Sequence, residues 1–331
     1  MTPTPVYESY WRFAAERLAI FHRKLVDADG PWTDDPVLRR FRFTNTFRAA
    51  DRVSQYLIRE VQYAPQRSDA PEDLFFRTML FKLFNRIETW EALEAAIGPI
   101  EWRRDVLERI EPVLDRLMRQ GQRIYSAAYI MPSPRLGEVR KHANHLQLLA
   151  RMMEDRVADR LRQMPDLASA YDLLLRYPGL GPFLAFQYTI DLNYSALLDF
   201  PESGFVVAGP GALDGISKCF SDSRRYRPEH IIFAMVDRQD REFTRLGLDF
   251  PGLYGRPLQP IDCQNLFCEI SKYARVAHPD VPGIAGRLRI KQSYRPSERR
   301  PVQPMFPPRW QLTVGADENV ASPRSAQALL L

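Results

Sequence analysis

Two glycine turns limit what this chain can fold into. They frame the stretch Leu175–Ile216, LRYPGLGPFLAFQYTIDLNYSALLDFPESGFVVAGPGALDGI. The first, Pro178-Gly179-Leu180-Gly181-Pro182, lies between two apolar runs with helical spacing, and the second, Gly209-Pro210-Gly211-Ala212, opens a further helix. Glycine lets a backbone approach a ligand closely, and a helix that begins just after it points unpaired N–H groups at an anion. Gly179, Gly181, Gly209 and Gly211 are therefore candidate contacts for a phosphate. Between the turns stand three carboxylates, Asp191, Asp199 and Glu202, in a mostly apolar segment. The stretch reads as a phosphate clamp beside an acidic pocket.

The rest of the chain is helical in pattern. Apolar residues recur at helical spacing over Tyr7–Val26, Thr44–Val61, Leu74–Glu94, Trp102–Gln120, Arg123–Met131 and Glu138–Gln163. They recur again over Asp166–Arg176, Phe183–Asn193, Gly211–Phe220, Pro228–Leu246 and Gln259–Ala277. Phe205–Val207 could be extended, but no set of alternating strands exists, and no internal repeat is present. The expected fold is all-α, with one helical domain over residues 1–290 and a basic, proline-rich tail over 291–331 that is expected to be disordered.

Composition excludes some functions. A chain of 331 residues can bury a real core, and no apolar run approaches a membrane span. The N-terminus lacks the apolar centre of a signal peptide, so a cytoplasmic location and no membrane partner are expected. Three cysteines, Cys219, Cys263 and Cys268, form no CxxC pair and have no histidine at ligand spacing. Reduced thiols are expected, with no metal and no cofactor. His142 and His145 sit three apart on a helix without a third ligand nearby, which favours a surface position. A net charge of +5 is weak evidence for nucleic acid, but Arg287–Arg309 holds seven basic residues and one acidic one. That run suits a solvated tail and a phosphate-contacting arm equally.

Three helices carry candidate site residues. On Thr44–Val61, Arg48, Asp51, Arg52, Gln55 and Arg59 share a polar face opposite an apolar stripe. That face is either a solvated surface or a phosphate site in which Asp51 orients Arg48 and Arg52. Asn85 interrupts the apolar run Leu74–Glu94, as a satisfied core amide or a pocket residue. On Gln259–Ala277, Asp262, Asn265, Glu269 and Lys272 fall on one stripe beside Leu266, Ile270 and Tyr273. Four different polar groups in line favour a pocket wall over a solvated surface.

LLLRYPGLGPFLAF resembles the helix-hairpin-helix of the DNA glycosylase superfamily. In that superfamily the hairpin amides hold a DNA phosphate, and an acidic residue downstream lies in the base pocket. By position that residue corresponds to Asp199 or Glu202. Bifunctional members carry a nucleophilic lysine just after the hairpin, where this chain has Phe183, which disfavours Schiff-base lyase chemistry. A closer resemblance runs through FTNTFRAADRVSQYLI, LFKLFNRIETW, YPGLGPFLAFQYTIDLNYS, AGPGALDGI, IDCQNLFCEISKYARV and RIKQSY. Together these segments resemble the alpha-glutamyl/putrescinyl thymine pyrophosphorylase family. That glycosylase-like group also occurs as the helical domain associated with 5-hydroxymethyluracil DNA kinases.

The resemblance implies phage thymidine hypermodification, which would protect the DNA from host restriction. A kinase activates 5-hydroxymethyl-deoxyuridine in DNA, and a family member replaces the phosphate or pyrophosphate with an amine, such as glycine, glutamate or putrescine. The implied partners are double-stranded DNA with a flipped modified base, a free amino acid or polyamine, and a hydroxymethyluracil DNA kinase. No GxxxxGK[ST] is present to supply the kinase step. Under this reading Arg48, Arg52, Lys272 and Arg275 would stabilise the leaving group, and Asp191, Glu202 or Glu269 would take the proton of the amine. Gln55, Asn85, Gln264 and Asn265 would read the uracil edge. A monofunctional glycosylase using Asp199 or Glu202, or a non-catalytic DNA-binding module, are the alternatives.

Overall fold

The computed structural model describes residues 1–128, 130–295 and 302–315. Its secondary structure is helical, and the described residues contain no strand, only isolated bridges such as Phe41 with Ser293. Thirteen α-helices follow in order among the described residues. They are α1 (Pro5–Val26), α2 (Pro36–Arg40), α3 (Arg52–Tyr56), α4 (Pro71–Phe84), α5 (Ile87–Ile97), α6 (Val106–Arg119) and α7 (Lys141–Glu154). Then come α8 (Val157–Arg162), α9 (Leu167–Leu175), α10 (Pro182–Asn193), α11 (Pro210–Cys219), α12 (Pro228–Arg245) and α13 (Pro260–Ala277). None of them is long and apolar enough to cross a membrane.

Local chemistry sets these boundaries. Seven of the thirteen helices begin with proline in the first turn, where the missing N–H costs nothing. Side chains cap several starts: Thr4 accepts from Val6 N, Asp35 from Val37 N and Leu38 N, and Asp166 from Ser169 N. Gln259 and Asp262 form a reciprocal capping box at α13.

The helices differ from the expected spans in four places. Thr44–Val61 is not one helix: residues up to Phe47 are irregular, Arg48–Ala50 is a 3-10 turn, and α3 runs on into a π-helix over Leu57–Gln62. Leu74–Glu94 breaks at Asn85, which takes the left-handed conformation (φ 49°) that asparagine tolerates better than most residues. Glu138–Gln163 breaks in the same way at Arg156 (φ 52°). Arg123–Met131 holds no helix among its described residues. Its neighbourhood is held instead by His145, which pairs with the Tyr125 hydroxyl at 2.7 Å and the Pro132 carbonyl at 2.9 Å. His142 pairs with Asp115, and both histidines are buried rather than at the surface. Burial pushes His145 down to about 4, so it packs as a neutral ring.

Two helices are apolar nearly all round and form the interior. In α4 every residue from Leu74 to Phe84 is buried, and in α10 every residue from Leu184 to Asn193 is buried. The pair α11–α13 packs more closely than side chains would allow. A Cβ on Gly215 would lie 1.9 Å from the Phe267 carbonyl oxygen, and one on Gly211 would lie 3.0 Å from Cys268 Sγ. The three cysteines are free, two buried and Cys268 half-buried.

The tail is partly docked, against the expectation of disorder. Gln55 grips Met305 in both directions, accepting from its N–H at 2.8 Å and donating to its carbonyl at 2.9 Å. Phe306 is buried, and Trp310 stacks on it. Arg309 donates to the carbonyls of Asn193, Ser195 and Leu198, at and just beyond the C-terminus of α10, and pairs with Asp199 at 3.0 Å. The remainder of the expected tail, 296–301 and 316–331, lies outside the described residues.

Gly215→Ala is expected to cost about 3 kcal/mol, the upper end for overpacking, in urea unfolding followed by circular dichroism. Gly181→Ala, where an added Cβ meets nothing within 4 Å, should stay within ~0.5 kcal/mol of wild type. Equal stability of both variants would contradict the close α11–α13 packing.

Candidate functional site

The glycine turn between α9 and α10 is a tight reversal. Gly179 has φ 81°, and Pro134 from the preceding irregular segment closes over it, 3.2 Å from where a Cβ would stand. Gly181 is the N-cap of α10, and Gly209 is the N-cap of α11. Each is followed by proline, and neither helix start carries a side-chain cap. The two starts are neighbours: a Cβ on Gly209 would lie 2.6 Å from the Phe183 ring and 3.4 Å from Gln264 Nε2. Two helix N-termini without an N-cap side-chain bond therefore lie side by side, with Phe183 between them.

Behind this edge lies a buried charge cluster. Arg48 faces Asp191 with both terminal nitrogens: Nη2 donates to Oδ2 at 2.8 Å, and Nη1 lies 2.8 Å from Oδ1. Lys82 from α4 reaches the same carboxylate at 3.1 Å and donates to Asn85 Oδ1 at 2.7 Å. Arg48 Nε donates to Gln187 one turn earlier on α10, and the guanidinium sits 5.5 Å from the Tyr194 ring centre. Gln62 donates to the Asp191 carbonyl. Burial alone would push the Asp191 carboxyl up, but Arg48 and Lys82 outweigh it and hold the carboxyl below its usual range. Burial pushes Lys82 down, against the pull of Asp191.

The polar stripe of α13 grips the irregular segment before α3. Asp262 accepts from Arg48 N at 2.9 Å, Asn265 donates to Thr44 Oγ1 and the Asn45 carbonyl, and Glu269 accepts from Thr44 N at 3.0 Å. Lys272 pairs with Glu269 at 2.6 Å. From α1, Arg17 donates to Thr44 O and Asn45 Oδ1, and Asp51 accepts from Asn45 N. Burial brings both Asp262 and Asp51 up to about 7.

The connection from α10 to α11 carries Glu202. It is 5 % exposed, pairs through Oε2 with Arg256 at 3.2 Å, and leaves Oε1 buried with no hydrogen-bond partner among the described residues. Burial pushes its carboxyl up, against Arg256, Arg309 and Arg48. The Arg256 guanidinium in turn lies 3.9 Å from the Trp310 ring centre.

The expected residues thus separate into groups. Arg48 and Asp191 meet in the interior. Arg52 is exposed without a partner among the described residues, so Arg48 and Arg52 do not form one anion site oriented by Asp51. Asp262, Asn265, Glu269 and Lys272 do share a stripe, but it binds protein backbone rather than facing an open pocket. Gln55 holds the C-terminal strap, Asn85 turns the chain beside Lys82, and Gln264 sits at Gly209 with its amide 3.4 Å from Cys268 Sγ. Arg275 donates to the Arg289 carbonyl and Ser271 Oγ, remote from the glycine turns in its bonding. Asp199 is exposed and tied to Arg309. Lys82, Gln187, Arg17 and Arg256 were not anticipated. Lys82 had a signal, a cation inside an apolar run three residues before Asn85, whereas Arg256 stands in a loop with no pattern.

The family model for the helical domain of 5-hmdU DNA kinase matches residues 4–283, and the chain belongs to that family. It is similar to the 5-hmdU DNA kinase of Bacillus phage SP10, 26% identical over 292 residues, which is 82% of this chain and 45% of the relative. The chain therefore spans about 45% of the length of that relative. No solved structure matches.

The value of about 7 for Asp51 lies above the ordinary 3.8, so the folded state holds this proton more tightly than the unfolded state. Its stabilising contribution is full below the ordinary value and is lost as pH rises through about 7. Urea unfolding of wild type and Asp51→Asn across that window should show a shallower fall with pH in the variant. Parallel curves would contradict a raised Asp51.

Proposed function

We propose that this chain binds DNA through the paired starts of α10 and α11 and replaces the phosphorylated hydroxyl of 5-hydroxymethyl-deoxyuridine with an amine. Membership of the kinase-associated helical family and the name of the phage relative support a role in hydroxymethyluracil chemistry. The observation that carries the reading is the adjacency of two glycine-led, uncapped helix N-termini, joined by a segment that holds a carboxylate with one unpartnered oxygen.

The residues suit the steps as follows. The helix dipoles at the starts of α10 and α11, with the exposed Gly181 at the first, would attract phosphate oxygens. A base taken out of the duplex would have to reach from the helix starts to the loop of Glu202. The incoming ammonium gives a proton to Glu202, whose carboxyl is pushed up from its ordinary range by burial. The amine nitrogen then bonds to the methylene carbon, and the carbon–oxygen bond breaks. Phosphate or pyrophosphate leaves with that electron pair. Asp191 is less suited to the proton transfer, because Arg48 and Lys82 hold it ionised in the interior. The implied amine is an amino acid or a polyamine, and the activating step belongs to a kinase.

The test uses DNA with phosphorylated or pyrophosphorylated 5-hydroxymethyluracil and a mixture of amines, digested to nucleosides for mass spectrometry. An amino-substituted thymidine is expected, and Glu202→Gln should lower kcat by about a hundredfold with little change in KM for the amine. Abasic sites would replace this reading with a glycosylase, and no product with any amine would leave a DNA-binding module. Gly181→Val should weaken DNA binding about equally for all sequences, because the turn holds the phosphate backbone and reads no base. Unchanged affinity would show that the turn only packs.

A further inference from the structure

Away from the helix starts, a cavity of about 170 Å³ opens between α1, α2 and the extended segment ending at Tyr294. That segment is fixed by main-chain pairing, Arg42 N to Gln292 O at 3.0 Å and Tyr294 N to Arg40 O at 2.9 Å. Arg17, Lys24 and Arg39 line the cavity together with Trp32, Phe43 and Tyr294. Lys24 Nζ stands 4.3 Å from the Trp32 ring centre and 4.6 Å from that of Tyr294, and donates to the Tyr294 hydroxyl at 3.2 Å. No carboxylate lines the wall. None forms an ion pair with Arg17, Lys24 or Arg39 among the described residues, whereas the carboxylates that act on Arg17, Asp51 and Glu269 foremost, are not part of the lining. Burial and the charge of Arg17 bring Lys24 down to about 8, the mark of a cation short of a counter-ion.

Lys24 and Arg39, with no carboxylate on the wall beside them and Arg17 behind, focus positive potential there. A zwitterionic amino acid would find no carboxylate for its ammonium. A bare inorganic anion would leave the aromatic surfaces unused. A flat ring carrying a phosphate answers both parts of the wall. The volume, below the roughly 300–1,000 Å³ of sites for drug-sized ligands, favours a single-ring base. We propose that this cavity binds a pyrimidine nucleotide, its phosphate on Lys24 and Arg39 and its base against Phe43 and the neighbouring rings. The nucleotide is either free or part of a DNA strand. The site does not depend on amine transfer, and the product assay above is indifferent to it.

Isothermal calorimetry on the full chain with thymidine monophosphate tests the proposal. Saturable binding is expected, weakened at least roughly tenfold (~1.4 kcal/mol) in Lys24→Met, with no binding of thymidine or glutamate. On wild-type protein, thymidine monophosphate should also slow modification of Lys24 by an amine-reactive reagent, read by peptide mass spectrometry, which keeps the test valid if the variant misfolds. Displacement of the nucleotide by a short single strand of DNA would assign the ligand to a strand, and lack of displacement would assign it to the free pool. No saturable binding, full binding by Lys24→Met, or equal affinity for inorganic phosphate would overturn it.

Discussion

The carboxylate of Asp191 faces two cations drawn from distant parts of the chain, and the arrangement of the helices depends on that junction. Arg48 arrives from the 3-10 turn before α3 and Lys82 from α4, while Asp191 lies on α10, the helix that the first glycine turn begins. All three side chains are buried. Taking such charges out of water is expensive, and the attraction between them offsets the cost only when the geometry is good and the remaining polar atoms are satisfied. Here Gln187, Asn85 and Tyr194 complete the surroundings. Removing one partner would strand a buried charge, at a cost of ~3–5 kcal/mol. The junction adds little net stability over an apolar core, but it ties α4, α10 and the Arg48 turn together in the register observed.

That register fixes the edge where the two helix starts meet. With α10 locked from behind, Phe183 is held against Gly209, and α11 is held in turn by its close approach to α13 at Gly215. The stripe on α13 then secures the segment from Thr44 to Arg48, which returns to Asp191. The strap from Met305 to Trp310 covers the opposite end of α10, and its Arg309 and Trp310 lie over the loop of Glu202. The buried Glu202 carboxylate thus lies beneath Arg256 and the strap.

The helical character and the two glycine turns were legible in the sequence, because apolar spacing and glycine–proline steps are local signals. The breaks at Asn85 and Arg156 were not, since the left-handed turn at each is set by packing and leaves the periodicity intact. The stripe on α13 was visible as an unusual run of Asp262, Asn265, Glu269 and Lys272. Its target was invisible, because Thr44 and Asn45 offer main-chain groups that no side-chain pattern reveals. Arg48 and Asp191 each stood out, but their pairing across 143 positions is a tertiary fact. The strap was misread because its composition suits disorder, while Gln55, Asn193, Ser195 and Leu198 supply the partners that hold it.

Amide hydrogen exchange with and without duplex DNA tests most directly whether the paired helix starts are where nucleic acid is held. Peptides that cover the starts of α10 and α11, around Phe183 to Ala185 and Gly211 to Leu213, are predicted to gain protection on adding DNA, and to lose that gain at high salt. Protection elsewhere on the molecule, with both helix starts unchanged, would contradict the account.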